Sequence, residues 1–585
     1  MANFFETLVE VLKADERFFT EDGALLRNKV YESAMNMDAG LIGLLLGNAE
    51  TKKRFFADVN GTMVFDKVGF GWVVNNRQFL PDSYTRFKNR IGLTDARGDL
   101  ISASGDVVLS FPYKDCVLEG GQTKDDQKRD EVFYNATLAP DEVDRLLYPK
   151  VLIGAKRYSY AGATDLTGNP VADGSAESVT AETATEFLDN DNLIIKGNNL
   201  LAISSLLKRF EGKVKCIYID PPYNTGGDGF NYNDKFNHST WLVFMKNRLE
   251  LARKLLSNDG SIYLHLDYNE VHYGKVLMDE VFGRNCFQRE IIWDISVLSG
   301  YKTLTNNWIR GHETILYYSK SNAPLFNKLR QPHTKEYLDM FNRQDEDGRW
   351  YLVAHGSKRY RDEVEPKGKP FGDVWNDIMS FQQQPTSSER LQFDGQKPET
   401  LLERIIKAAT NEGDIVLDFH MGTGTTCAVA HKLKRQYIGV EQMDYIETLS
   451  IERLKQVITG DATSVSRSND WQGGGSFVYC ELAKSNQRFV DEAMSAKTDA
   501  DLTALLERVI ATGFISSKVN PSDIAGATAD FEALSIEDKK RFILELLDKN
   551  MLYVNLCDLE DEEYGISDAD KAFTRSFYGL AGDRV

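Results

Sequence analysis

The apolar positions of this chain change their period twice along its length. Phe4, Phe5, Leu8, Val11 and Leu12 return at i, i+3 and i+4, which predicts an opening amphipathic helix. Farther on, Val107-Val108-Leu109-Ser110-Phe111 reads as a strand. Residues 158–190 are rich in Ser, Thr, Ala, Gly and Asp and poor in large apolar side chains, so they read as a linker or surface loop. From Leu193 short apolar runs alternate with helical periods. Leu193-Ile194-Ile195 leads into a helix over 200–210, and Val214–Ile219 is a buried strand. A long helix follows over 241–256, then Asp259-Gly260 turns into the strand Ser261–Leu266. The stretch 286–395 loses this rhythm and becomes basic and aromatic, as an insertion would. The rhythm returns with a helix at 398–410, a strand at 415–417, a helix at 425–433 and a strand at 437–440. From about 475 a further region begins, with helices such as 536–549. Strand–helix alternation of this kind predicts an α/β fold with a doubly wound, Rossmann-like parallel sheet.

Composition adds few constraints at 585 residues, a size that suggests three to five domains. The longest apolar run near the N-terminus, Leu41–Leu46, is far short of a membrane span, and the first residues lack a secretory pattern. A cytoplasmic protein without a membrane partner is expected. The six cysteines (116, 216, 286, 427, 480, 557) are widely scattered and predict buried, reduced thiols with no metal pair. The net charge of −19 argues against nucleic acid as a partner, but it is uneven. Between Lys302 and Lys335 six basic residues face one acid, Glu313, whereas the tail from Asp558 carries eight acids against three bases. A local basic surface can hold phosphates on an acidic protein.

Two loops carry chemistry. Asp220-Pro221-Pro222-Tyr223 follows a hydrophobic strand directly. An aromatic exocyclic amine is a poor nucleophile, because its lone pair is delocalised into the ring. The Asp220 carboxylate and the Pro221 carbonyl would accept its two hydrogens and aim the lone pair. Pro222 stiffens the loop, and Tyr223 offers a face for stacking. A base in duplex DNA would have to flip out to reach them. The second loop, Asp418-Phe419-His420-Met421-Gly422-Thr423-Gly424-Thr425-Thr426, runs from a strand into a helix. Its glycines let a ligand approach the backbone, and the helix N-terminus favours a carboxylate. The next strand ends at Glu441, placed for ribose hydroxyls. A dinucleotide would also suit this loop, and pairing with Asp220–Tyr223 favours the methyl donor S-adenosylmethionine.

Together these residues resemble the amino-methyltransferases of DNA. Catalytic loop first, cofactor loop second and an insert between them is the order of the β class. Lys397-Pro398-Glu399 with Leu402 resembles that family's helix closing over the cofactor. Ile291-Ile292-Trp293 and Gly311–Leu316 resemble its later core strands. The long N-terminal unit and Asp548–Asn555 resemble the modification (Mod) subunit of type III restriction-modification systems. Gly197-Asn198-Asn199 stands where many relatives carry Gly-Asp-Asn, and His420-Met421 replaces a more usual aromatic-small pair.

The resemblance implies an N-terminal accessory domain at 1–157, the linker at 158–190 and a catalytic half at 191–285. It then implies a target-recognition domain at 286–395, a cofactor-binding half at 396–465 and a C-terminal domain at 466–585. It also implies transfer of a methyl group from S-adenosylmethionine to adenine N6 in duplex DNA, leaving S-adenosylhomocysteine. Asp220, Pro221, Pro222 and Tyr223 would act on the base. Asp418, Phe419, Gly422, Gly424, Thr425 and Glu441 would hold the cofactor, with Lys397, Pro398 and Asp220 beside it. Basic and amide side chains (Arg310, Lys328, Arg330, Arg343, Lys358, Arg359, Arg361, Gln382, Gln383, Gln384) would contact phosphates and base edges. His312 and His333 are expected to be structural. A homodimer and a separate Res helicase-nuclease subunit are the expected partners, since the chain has no Gly-x-x-x-x-Gly-Lys-Ser/Thr loop and no nuclease cluster. The competing functions are cytosine-N4 methylation and DNA recognition on behalf of a partner nuclease.

Overall fold

The computed structural model describes residues 4–20, 23, 25–59, 62–74, 93–94, 108–109, 146–160, 163–164, 170–171, 178–225, 238–295, 304, 306–391, 393, 395–516, 519 and 528–580. Its main body is one eleven-stranded sheet. In chain order the strands are β1 (Leu152–Tyr160), β2 (Thr180–Thr183), β3 (Leu193–Lys196), β4 (Val214–Ile219), β5 (Leu256–Leu266), β6 (Phe287–Asp294), β7 (His312–Ser319), β8 (Val374–Trp375), β9 (Ile415–Asp418), β10 (Gln436–Glu441) and β11 (Gly475–Leu482). Across the sheet they stand β8-β6-β7-β5-β4-β9-β10-β3-β11-β1-β2. The six strands from β5 to β11 in that order are parallel. The antiparallel β7 separates β5 from β6, and β1 and β2 are antiparallel at the other edge.

Side chains alternate across a strand, and the central strands are apolar on both faces. Ile217 and Ile219 of β4 point into one core, while Cys216 and Tyr218 point into another. The first core is covered by helices α1 (Asn199–Phe210), α2 (His238–Leu255) and α3 (Val271–Phe282). The second is covered by α4 (Glu399–Ala409), α5 (Thr425–Lys432) and α6 (Ile451–Ile458). The doubly wound α/β sheet expected from the sequence is thus present.

Register explains how two loops two hundred residues apart meet. β4 lies beside β9, with Ile217 opposite Leu417, so Asp220 and Asp418 leave neighbouring parallel strands at the same end. β7 runs against β5 with Thr314 opposite Leu266, which brings Glu313 to that same end.

Several segments differ from expectation. Residues 158–160 and 180–183, inside the expected linker, are the paired ends of β1 and β2. Their Ser, Thr and Glu side chains lie on an exposed sheet edge, which needs no apolar pattern. Within 286–395, β6, β7 and β8 belong to the main sheet, and only small sheets between Arg330 and Pro370 stand apart from it. Of the strand expected at 107–111, Val108–Leu109 is described and pairs with Leu93–Thr94, and the rest lies outside the described residues. Cys216, Cys427 and Cys480 are buried as expected, whereas Cys286 is half-buried and Cys557 is exposed. Cys116 lies outside the described residues. At the N-terminus Leu8, Phe18, Leu45, Phe55 and Phe70 form a separate small core. At the C-terminus helices Gln487–Ser495, Asp499–Thr512 and Ile536–Leu546 form another. The last helix, α7 (Asp568–Tyr578), returns to the main core with Phe573 and Phe577. No helix among the described residues is long and apolar enough to cross a membrane.

Candidate active site

β4 delivers Asp220 to the rim of the sheet, and the following turn is pinned. The indole of buried Trp241 donates to the Pro222 carbonyl at 2.8 Å. Asn224 takes a left-handed conformation (φ 59°), which asparagine tolerates, and donates from its amide to Glu270 at 2.5 Å. The Lys397 ammonium donates to Asp220 Oδ2 at 2.6 Å. Asp220 Oδ1 is buried and has no hydrogen-bond partner. The Tyr223 hydroxyl donates to Glu313 Oε2 at 3.3 Å, and Lys397 Nζ sits 5.1 Å from the centre of the Tyr223 ring. Burial, with Asp220 and Glu313 close by, keeps that phenol protonated.

β9 ends at Asp418, and the loop turns through Gly422 (φ 52°) and Gly424 (φ 76°) into α5. Both angles favour glycine. Asp418 accepts from the Thr426 hydroxyl at 2.5 Å and from the His420 amide at 3.0 Å. Burial still pushes its carboxyl up to about 7, with Asp220 and Glu441 adding to the rise. Glu441 is raised by burial, although the backbone amides of Gly422, Gln442 and Met443 hold it at 2.8–3.0 Å. Asn199 donates to the Phe419 carbonyl at 3.0 Å and accepts from Arg248 at 2.7 Å, so it braces the loop from behind. Asn198 caps α1. His420 is neutral, because burial and Arg248 both oppose its charge, and neither ring nitrogen has a partner.

The two loops line one cavity of about 480 Å³. Asp220, Pro221, Pro222, Tyr223, Lys397, Asp418, Phe419, Gly422, Thr425 and Glu441 all face it. Two expected residues act from outside. Gly424 caps α5, and Pro398 caps α4. Arg453 joins the parts by donating to Thr425 at 2.7 Å, and the Thr425 hydroxyl donates to the Lys397 carbonyl at 3.2 Å.

A group of buried polar residues behind Asp220 was not anticipated. Glu313 lies 3.0 Å from His265 Nε2 and accepts from Arg310 at 2.7 Å. His265 in turn bonds the Tyr218 hydroxyl at 2.8 Å. Burial opposes the ionised form of Glu313, but Lys397, His265 and Arg310 outweigh it and hold the carboxyl down at about 2. Lys397 stays charged by the same balance, its burial offset by Asp220 and Glu313. The sequence did carry one signal: Glu313 is the single acid in a basic stretch.

The candidate DNA-reading residues divide. Arg310 faces the cavity, paired to Glu313 and 3.6 Å from Asp267, and Gln382 lines the same space. Arg330 is tied to the carbonyls of Lys367 and Gly368, Gln383 accepts from the Ser380 amide, and Arg361 pairs with Glu365. Lys328, Arg343, Lys358, Arg359 and Gln384 are exposed. His312 is exposed and His333 stacks on Tyr337.

Residues 214–452 match the family model described as DNA methylase, and residues 38–93 match the one described as type III restriction/modification enzyme methylation subunit. The chain is 33% identical to the "Probable type III restriction-modification enzyme HindVI Mod subunit" of Haemophilus influenzae, across 98% of each. It is 29% identical to the type III StyLTI Mod subunit of Salmonella typhimurium, across 44% of this chain and 52% of that one. Among solved structures, the M1.HpyAVI–SAM complex aligns with 45% of this chain and 98% of its own at 21% identity and a TM-score of 0.30. At 33% identity to the Haemophilus influenzae protein across 98% of each, the chain belongs to the family of methylation (Mod) subunits of type III restriction-modification enzymes.

Proposed function

We propose that this chain transfers the methyl group of S-adenosylmethionine to the N6 amine of an adenine flipped from duplex DNA. The observation that carries the reading is Asp220. Lys397 occupies one of its oxygens and fixes the carboxylate, while the other is buried and free to accept from an amine. A neutral donor of two hydrogens meets Asp220 Oδ1 and the Pro221 carbonyl, with the base stacked on Tyr223.

The cavity suits the cofactor. Its volume falls within the roughly 300–1,000 Å³ of ligand pockets. Glu441 and Asp418 line it, where they would meet ribose hydroxyls and a cationic group, and Gly422 leaves the backbone bare, with open space where a Cβ would stand. S-adenosylmethionine supplies an electrophilic methyl on a positive sulfur. Lys397, Asp418, Phe419, Gly422, Thr425 and Glu441, which line the cavity, would hold it, while Asp220 and Pro221 would orient the amine for in-line attack. Asp220 Oδ1, buried beside the amine, would accept the proton that the methylated nitrogen gives up. Much of the rate comes from orientation and fixed electrostatics.

On this reading the chain works in the cytoplasm on double-stranded DNA, pairs with a second copy, and serves as the modifying partner of a Res helicase-nuclease. The Mod subunit names of its relatives support the role of modifying partner. Single-molecule sequencing of DNA from cells expressing the wild type and Asp220→Ala tests it. N6-methyladenine at one recurring motif, absent in the variant, is the expected result. N4-methylcytosine, or methylation that survives the variant, would overturn it.

A further inference from the structure

Tryptophan seldom stands in water, yet Trp308 is 95% exposed, and Leu304 in the same connection is 85% exposed. Both lie between β6 and β7. Those strands are antiparallel neighbours, with Asp294 opposite His312, so the connection leaves and re-enters the sheet at one place. That place is the end of the sheet that carries Asp220 and Glu313. A hydrogen bond from the Ile295 amide to the Gly311 carbonyl, at 2.9 Å, closes the neck of the connection. Its two feet, Ile295 and Arg310, line the cavity. Trp308 is two residues from Arg310, so their Cα atoms are at most about 7 Å apart. The Trp308 amide donates to Asn307 Oδ1 at 2.7 Å.

We propose that Trp308 enters the duplex and fills the space left by the flipped base. The inference rests on the duplex-DNA reading above and adds to it the residue that keeps the base out. A flipped base leaves an unstacked gap beside the mouth of the pocket that receives it, and a flat apolar ring at that mouth can stack there. The chemistry of the rim agrees. Arg310 is committed to Glu313 and Asp267, so it is not left as a phosphate ligand. Its guanidinium lies 5.9 Å from the ring centre of Tyr268, which is 64% exposed and continues the apolar rim.

The test compares wild type, Trp308→Ala and Trp308→Phe on two oligonucleotides, one with the target base paired and one with it opposite an abasic site. On paired DNA, Trp308→Ala should lower kcat/KM roughly 10–100-fold, the range for loss of one stacked base. Trp308→Phe should retain most of the rate. On the unpaired target Trp308→Ala should approach wild type, because no partner has to be abandoned. Equal rates on paired DNA would overturn the proposal. So would an equal loss on both substrates, which would mean a structural role. A change of sedimentation mass in Trp308→Ala would assign the surface to a second copy of the chain instead. If the wild type methylates cytosine, the adenine reading falls, and the same comparison with an unpaired cytosine still decides Trp308.

Discussion

Lys397 and Glu313 make Asp220 asymmetric, with one oxygen held and one offered. Glu313 touches neither loop backbone, yet it lies 3.9 Å from Lys397 and accepts from Tyr223. Glu313→Gln keeps the shape and removes the charge that helps hold Lys397. The expected result is a fall of about 100-fold in kcat, the scale of a small misplacement of a reacting group, much larger than any rise in the cofactor Kd. A matching loss of cofactor binding would show that Glu313 supports the pocket and not the orientation of Asp220. Asp418 yields a prediction in pH. Burial raises it from 3.8 to about 7, so without cofactor it holds a proton up to that pH. A cationic ligand favours the ionised form. Affinity for S-adenosylmethionine should therefore weaken about tenfold per unit as pH falls below 7, and level off above it. Calorimetry between pH 5.5 and 8 reads this directly, and a flat profile would separate Asp418 from the cationic group. At this scale the loops were legible because Asp, Pro, Tyr and Gly in that order are costly without a function. His265 and Tyr218 were not, since one histidine and one tyrosine in apolar strands look like ordinary core.

One buried charge cluster ties together the helices packed around the loop 418–426. Glu399 opens α4 and is fully buried. It accepts from Lys432 at 2.7 Å, from Arg453 at 2.9 Å and from Thr463 at 2.8 Å. Lys432 ends α5 and Arg453 lies in α6, so one carboxylate clamps three helices. Through Arg453 and Thr425 the clamp reaches Lys397. Burial opposes the charge on Glu399, but the two cations outweigh it and lower its pKa. Its stabilisation is therefore present above the ordinary glutamate range and is lost as pH falls through the lowered value. Glu399→Ala leaves two buried cations short of a partner. A loss of roughly 3–5 kcal/mol is expected, read as a lower urea midpoint together with weaker cofactor binding. The helices themselves were plain in the sequence, where Leu401, Leu402, Ile405 and Ile406 show the 3.6 period. The clamp was not, because Glu399, Lys432 and Arg453 each read as a solvated helix charge until packing brings them together.

The order of the chain conceals how the last helix shares a core with residues 146–210. Residues 466–585 read from the sequence as a region apart, and most of their helices do form their own small core. The last helix does not stay there. The Tyr578 hydroxyl donates to the Lys150 carbonyl at 2.7 Å. Thr574 both donates to the Leu152 carbonyl at 2.8 Å and accepts from its amide at 3.1 Å. Arg209 of α1 donates to the carbonyls of Ser576 and Phe577. Phe573 and Phe577 pack on Phe187, and Phe577 also meets Phe210, in the core that backs β4. The same region holds Lys150, whose burial lowers its ammonium to about 7 while Asn555 accepts from it at 2.6 Å. Removal of residues 566–585 should therefore damage the sheet that carries Asp220, although every loop residue remains. Fully burying an aromatic side chain contributes roughly 1.5–3 kcal/mol, so two lost rings and the uncovered Phe187 and Phe210 together approach the whole stability of a marginally stable fold. The truncated chain should aggregate or melt without a cooperative transition, and Phe577→Ala alone should cost about 3–5 kcal/mol. Cofactor binding measured on the soluble fraction separates the alternatives. If the truncated protein stays folded and binds S-adenosylmethionine as the full chain does, α7 is an appendage. If Phe577→Ala lowers stability but leaves the cofactor Kd intact in the folded fraction, α7 is part of the catalytic core and acts through the fold alone.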